Sequence, residues 1–256
     1  MADHTNLFSG HDSNYSRFRP NYPVGLYALL QEHAGLTAES VIADIGSGTG
    51  KLAALFLERG NYVRCVEPNA DMRRRAESDL SALGNAAFVD GTAERTTLPG
   101  RSVDLVTAGQ AFHWFNPLRA AEEFLRILRP GGMAALIWNN RRENATGMNI
   151  EYERICKEFS PNYHSSGSLS IPVERIASFF GGTMQEFTLD NEQLLDLEGI
   201  MGRYMSASYA IGPENPQFSE IMNSLEDAFQ KHESGGYVSL KYSTKVFLGI
   251  PVLQQE

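Results

Sequence analysis

Five short apolar runs punctuate the first half of the chain, at 41–45, 62–66, 86–89, 103–108 and 133–138. Each has the length of a strand buried on both faces, which reads as a continuous apolar stretch rather than an alternation. Between them lie segments with apolar residues at helical spacing, at 51–59, 70–80 and 118–128. The last runs into Arg129-Pro130-Gly131-Gly132, the chemistry of a helix stop, with basic residues in the last turn and Pro and Gly beyond it. Strands alternating with helices predict a parallel sheet joined by right-handed crossovers.

Beyond about Asn140 the alternation gives way to helical stretches broken by Ser/Gly/Pro clusters at 160–170 and 211–215, as in an insertion that covers a substrate. Strand-favouring residues return at 184–189 and at 237–249, where Tyr237, Val238, Leu240, Tyr242, Val246 and Phe247 stand. These two stretches are expected to complete the sheet as an antiparallel edge hairpin. The fold class expected is therefore α/β, a doubly wound and mostly parallel seven-stranded sheet with a helical substrate cap. Residues 1–140 would form the ligand-binding core with an N-terminal leader, and 141–256 the cap and the completing strands of the same sheet.

Composition adds exclusions. With 42% hydrophobic and 21% charged residues over 256 positions, the chain has the make-up of an ordinary folded protein. Its 31 acidic against 22 basic residues, a formal charge of −9, disfavour nucleic acid as a partner, since that affinity rests on Lys/Arg neutralising phosphates. No stretch approaches the roughly 20 apolar residues that span a bilayer, and the polar first ten residues lack a signal-peptide core, so a cytoplasmic protein without a membrane partner is expected. Cys65 and Cys156 stand far apart and outside any C-x-x-C pair, which suggests reduced packing residues and no zinc site.

Asp44-Ile45-Gly46-Ser47-Gly48-Thr49-Gly50 follows a strand and opens a helix, a place where glycines let a ligand approach the backbone at the carboxyl edge of a sheet. A Walker A loop would need glycine five residues before Gly50, where Ile45 stands, and Ser or Thr after Lys51, where Leu52 stands. The dinucleotide fingerprint would need a glycine at Lys51. Gly-x-Gly-x-Gly with an acid two residues earlier instead resembles motif I of class I S-adenosylmethionine-dependent methyltransferases. An acid near such a loop suits the ammonium of S-adenosylmethionine, which has no pyrophosphate. The resemblance implies that cofactor as ligand of Asp44, Gly46, Ser47 and Gly48. Glu67 ends the second strand about twenty residues past the first glycine, where a carboxylate accepts hydrogen bonds from both ribose hydroxyls. Pro68 and Asn69 follow it toward the same ligand, Asn69 also as N-cap of the next helix. Gly91-Thr92-Ala93-Glu94 resembles the family's Gly-Asp-Ala-Glu segment at the adenine, with Thr92 in place of the acid and a backbone contact expected from Ala93.

After the fourth strand comes Gly109-Gln110-Ala111-Phe112-His113-Trp114-Phe115. The Asn/Asp-Pro-Pro-Tyr sequence of base-modifying methyltransferases is absent here, which again disfavours nucleic acid. The segment resembles the His-Trp-Phe branch of small-molecule methyltransferases related to trans-aconitate methyltransferase, which implies Gln110 near the methionine part of the cofactor. His113, with an unperturbed pKa near 6.5, is the candidate catalytic base; packing against the next helix is its other reading. The leader, Tyr15 to Pro23, resembles the Tyr-x-x-x-Arg-Pro-x-Tyr-Pro segment of that branch. It implies Arg19 on the cofactor carboxylate and Tyr15 closing over it. Arg203, Tyr204, Ser206, Ser208 and Tyr209 form a polar–aromatic cluster open to either an acceptor-facing or a packing role. The function expected is methyl transfer from S-adenosylmethionine to a small organic acid or alcohol, without a metal, by a monomer or homodimer. The alternatives are a non-catalytic binding module and, further off, a nicotinamide oxidoreductase.

Overall fold

The central strand, β1 (Val41–Ile45), pairs in parallel with β2 (Tyr62–Val66) on one side and β4 (Val103–Gly109) on the other. Its Ile42, Ala43 and Ile45 are fully buried, as a strand covered on both faces requires. β3 (Ala86–Val89) extends the sheet beyond β2, and β5 (Leu128–Arg141) lies parallel to β4. β7 (Val238–Gly249) runs antiparallel to β5, and β6 (Gln185–Leu195) antiparallel to β7. The seven strands follow the order β3-β2-β1-β4-β5-β7-β6. The antiparallel β7 between β5 and β6 departs from the parallel 3-2-1-4-5-6 order of dinucleotide-binding sheets. The computed structural model describes residues 17–143, 145–160, 163 and 171–253; Tyr15 lies outside the described residues.

Helices cover both faces. α1 (Gly25–Ala34) and α2 (Lys51–Leu57) pack Leu26, Leu30, Leu52 and Phe56 on one. On the other, α4 (Pro117–Ile127) packs Phe124 and Ile127 against Phe112 and Trp138. Burying a side chain such as Phe56 or Phe124 stabilises the fold by about 1.5–3 kcal/mol. α3 (Ala70–Leu80) links β2 to β3, its first turn capped by Asn69, whose side chain accepts from Asp71 N and Met72 N at 3.0 Å each.

The second half builds a separate apolar core. α5 (Gly147–Phe159), α7 (Leu197–Met205) and α8 (Phe218–His232) bury Tyr152, Ile155, Ile200, Tyr204 and Leu225 against Leu240 and Tyr242 of β7. The short α6 (Val173–Phe179) packs its Phe179 with the α4 side of the sheet instead.

Two sequence expectations need correction. β5 begins at Leu128, directly after α4, rather than after the Pro-Gly segment. The register jumps from Val103↔Leu128 to Leu105↔Met133, so Arg129–Gly132 bulge out of the ladder with Gly131 at φ 84°. Arg129 pins the bulge to Asp104 at 2.8 Å. The last two strands complete the sheet as an antiparallel pair at its edge, as expected, but not as a hairpin, since α7 and α8 separate β7 from β6.

Candidate active site

The chain leaves β1 toward β2 and returns to the far side of β1 as β4, which makes the carboxyl ends of β1 and β4 the switch point where open α/β sheets bind ligands. The glycine loop turns there. Gly46 and Gly48 have φ of 66° and 57°, values that favour glycine. A Cβ on Gly46 would lie 2.7 Å from the Ala111 Cβ, so the glycine also permits the segment after β4 to rest on the loop. Gly46 N and Ser47 N both donate to Val66 O, at 2.9 and 3.2 Å, which carries the β1–β2 pairing into the turn.

Glu67 is locked between two segments. Its Oε2 accepts the Gly48 N–H and its Oε1 the Asn69 N–H, each at 2.9 Å. Arg73 Nη1 donates to the backbone oxygens of Glu67 and Pro68, at 2.5 and 3.3 Å, and holds this corner closed. Burial pushes the Glu67 carboxyl upward, against the pull of its two backbone donors and of Arg73.

Asp44 lies beneath the loop, 1% exposed. Its Oδ1 accepts from Thr107 Oγ1 at 2.9 Å. Burial pushes its pKa up to about 7, opposed by the Thr107 hydrogen bond and assisted by the nearby Glu67 charge. Among the described residues, Asp44 Oδ2, Ser47 Oγ and Thr49 Oγ1 are buried without hydrogen-bond partners. Buried polar atoms are nearly always partnered, and three orphans around one loop fit a polar ligand such as the amino-acid end of S-adenosylmethionine.

The 91–96 segment is tied down from behind. Thr92 and Arg95 exchange backbone hydrogen bonds, Ala93 is buried, and the Thr92 side chain is exposed. Glu94 Oε1 accepts the Asn116 N–H at 2.7 Å, and Glu123 Oε1 accepts both Thr96 N and Thr96 Oγ1, at 2.8 and 2.5 Å. Glu123, which no sequence signal marked, and Glu94 thus anchor this segment from behind.

Gln110 leaves β4 with φ 58°, a left-handed backbone that costs a non-glycine residue about 1–3 kcal/mol. Its N–H donates to Ile137 O at 2.9 Å and its Nε2 to Asn139 O at 3.0 Å. His113 follows in a short 3-10 turn, Phe112–Trp114, with its ring 4.7 Å from that of Trp114. Burial lowers its pKa to about 4, aided by the Arg175 charge, so the imidazole is neutral at neutral pH.

The segment before α1 bridges the glycine-loop helix α2 and the turn after α7. Arg19 donates through Nε and Nη2 to Ser206 O, at 3.1 and 2.8 Å, and its charge, secondary to burial, helps lower Lys51 to about 8. Asn21, Asn139 and Asn191, which no sequence signal marked, knit this region. Asn21 O accepts from Asn139 Nδ2 and Asn191 Nδ2, at 3.2 and 2.8 Å, and Asn21 Oδ1 from Lys51 Nζ at 3.0 Å.

A glycine loop at the switch point, an acid beneath it and a second acid at the next strand end thus meet in one site on an α/β sheet. Residues 43–136 match the family model of the methyltransferase domain. Similar proteins include an uncharacterised methyltransferase of Mycobacterium tuberculosis, 40% identical over 129 residues, or 50% of each chain. Another, from Schizosaccharomyces pombe, is 32% identical over 130 residues, 50% of this chain and 51% of the relative. The chain spans about half the length of the curated relatives it matches. Among solved structures, a protein of Anaeromyxobacter dehalogenans assigned as a type II methyltransferase gives a TM-score of 0.66 at 23% identity, over 91% of this chain and 98% of that one. An S-adenosylmethionine-dependent methyltransferase of Geobacter sulfurreducens, solved with S-adenosyl-L-homocysteine, gives 0.53 at 18% identity, over 98% of this chain and 100% of that one. At these identities what is shared is the fold. Among the described residues, no helix is long and apolar enough to cross a membrane.

Proposed function

We propose that this chain transfers a methyl group from S-adenosylmethionine to a small molecule, an organic acid or a hydroxyl compound. Residues 1–140 would hold the cofactor and 141–256 cover the acceptor. The observation that carries the proposal is the Glu67 carboxylate fixed on the Gly48 N–H above a buried, half-satisfied Asp44. When bound, the cofactor supplies a methyl carbon on a sulfonium: the acceptor's lone pair forms the new bond as the carbon–sulfur pair returns to sulfur.

The chain's own residues bind and align. Each oxygen of Glu67 keeps an acceptor direction for a ribose hydroxyl beyond the backbone donor it already holds. Asp44 Oδ2, with Ser47 and Thr49 around it, suits an ammonium held directly or through water. Pro68, Asn69, Thr92 and Ala93 line the nucleoside side, and Gln110 and Arg19 the methionine side. Alignment of acceptor, carbon and sulfur supplies most of the acceleration, since no metal or covalent nucleophile is required. His113, held neutral, takes the proton of a hydroxyl acceptor; a carboxylate has none to give.

The test is calorimetric titration of the protein with S-adenosylmethionine and with NAD. Saturable binding of the former alone is expected. Binding of NAD alone, or of neither, would overturn the proposal.

A further inference from the structure

Two arginines are buried at the inner face of the cap. The Arg141 side chain, at the end of β5, is 8% exposed, and Arg203, on α7, is 5% exposed. Arg141 Nη2 donates to Glu153 Oε2 at 2.9 Å and to Tyr163 Oη at 2.6 Å, and Tyr163 Oη donates to Glu153 Oε1 at 2.5 Å. The Arg141 guanidinium lies 4.5 Å from the ring centroid of Tyr152. Arg203 Nε donates to Tyr242 Oη at 3.2 Å, and Tyr242 is the register partner of Arg141 across β5 and β7.

The charges do not balance. Glu153 is the carboxylate of this cluster; Lys157 approaches it from the solvent side at 3.5 Å. Two buried guanidiniums against one buried carboxylate leave one positive charge uncompensated, an arrangement that costs several kcal/mol unless something meets it. Among the described residues, Arg141 Nε, Arg203 Nη1 and Tyr152 Oη are buried without partners. All three are hydrogen-bond donors, and one excess positive charge matches a monoanion better than a phosphate dianion.

The cluster borders the crevice. Arg141 lies two residues beyond Asn139, on the same face of the strand, about 7 Å along it, and Asn139 O receives Gln110 Nε2. The turn after Arg203 is held by Arg19 of the leader through Ser206 O.

We propose that Arg141, Arg203 and Tyr152 bind one carboxylate of the acceptor, so that the substrates are small molecules carrying a negative charge that anchors them in the cap. That this carboxylate belongs to a methyl acceptor rests on the methyltransferase reading; the anion site itself does not.

The experiment follows the arginine Nε–H resonances of the labelled full chain during titration with acetate, acetamide and inorganic phosphate. Expected are saturable shifts of two buried arginine signals with acetate, none with acetamide, and weaker binding of phosphate. Arg203→Met should raise the acetate Kd, followed on the Arg141 signal, by at least about tenfold. Arg203→Lys, which keeps the charge but loses the planar fork, serves if the Met variant does not fold. Absence of saturation in the wild type, equal response to acetamide, tighter phosphate binding, or an unchanged acetate Kd in the folded variant would overturn the site. S-adenosylmethionine is titrated into the same wild-type sample. Cofactor binding without acetate binding overturns this inference alone, whereas acetate binding without cofactor binding overturns the methyltransferase reading alone.

Discussion

The Gly48 N–H donates to Glu67 Oε2 at 2.9 Å, so contacts within the chain fix the acid at the end of β2 to the glycine loop. The carboxylate proposed to hold the ribose is thereby set in position without a further ordering cost on binding. Glu67→Gln replaces one carboxylate oxygen with an NH2 that cannot accept, so one of the two backbone donors, Gly48 N–H or Asn69 N–H, loses its partner. The expected result is a loss of about 1–3 kcal/mol in S-adenosylmethionine affinity with the fold retained, read by calorimetry and circular dichroism. An unchanged affinity would remove Glu67 from the site.

If Asp44 receives the ammonium of S-adenosylmethionine, as proposed, binding releases a proton. With its pKa near 7, its carboxyl is largely protonated at pH 6, and an ammonium placed on Oδ2 favours the anion. Calorimetry at pH 6 in two buffers of different ionisation enthalpy should show roughly 0.5–1 proton released on binding S-adenosylmethionine. 5′-Methylthioadenosine, which lacks the amino-acid part, should release none. Equal release by both ligands would place the ammonium elsewhere.

Two buried groups give stability opposite slopes with pH. His113 in the folded chain titrates near 4, below its unfolded value of about 6.5, so between these the unfolded chain binds the extra proton and stability rises with pH. Asp44 in the folded chain holds its proton from about 4 to 7, where the unfolded chain has released it, so its contribution falls as pH rises. Urea unfolding at pH 4–8 should therefore show the rising limb flattened in His113→Gln. Asp44→Asn should remove the falling limb and be more stable than the wild type above pH 7, by roughly 1–4 kcal/mol. A wild-type-like profile in either variant would contradict that assignment. His113→Gln should also lower turnover with hydroxyl acceptors and leave carboxylate acceptors unaffected.

Glu123 braces the segment that carries Ala93. It accepts two hydrogen bonds from Thr96 and pairs with Arg126 at 2.7 Å. Glu123→Ala strands the buried Thr96 N–H and hydroxyl and removes the pairing with Arg126, at a cost of about 2–4 kcal/mol, which corresponds to a fall of roughly 5–15 °C in Tm. Calorimetric melting checks it, and no change in Tm would contradict the bracing role.

The first half of the sheet was legible in the sequence because its signals are local. Residues 41–45, 62–66 and 86–89 stand out as strands since each is a short, mostly apolar run between polar turns, the mark of a strand inside a covered sheet. Asn69 was recognisable as a cap because the hydrogen bonds of an N-cap span three residues. The entry to β5 was misread because Arg-Pro-Gly-Gly stops a helix and bulges a strand with the same residues. The cap was opaque for the opposite reason. Arg141 stands in Asn-Asn-Arg-Arg-Glu, which reads as a solvated charge run, and only the packing of α5 and α7 on β7 buries it beside Tyr152. Asn21, Asn139 and Asn191 meet across more than a hundred residues, a contact no local pattern encodes.

The central claim is that the methyl donor lies between the glycine loop and Glu67, and a crystal structure with S-adenosyl-L-homocysteine tests it most directly. Expected are the ribose hydroxyls on Glu67, the ammonium over Asp44 and the adenine beside Ala93. Nucleoside density elsewhere on the molecule, or a ribose without contact to Glu67, would contradict it.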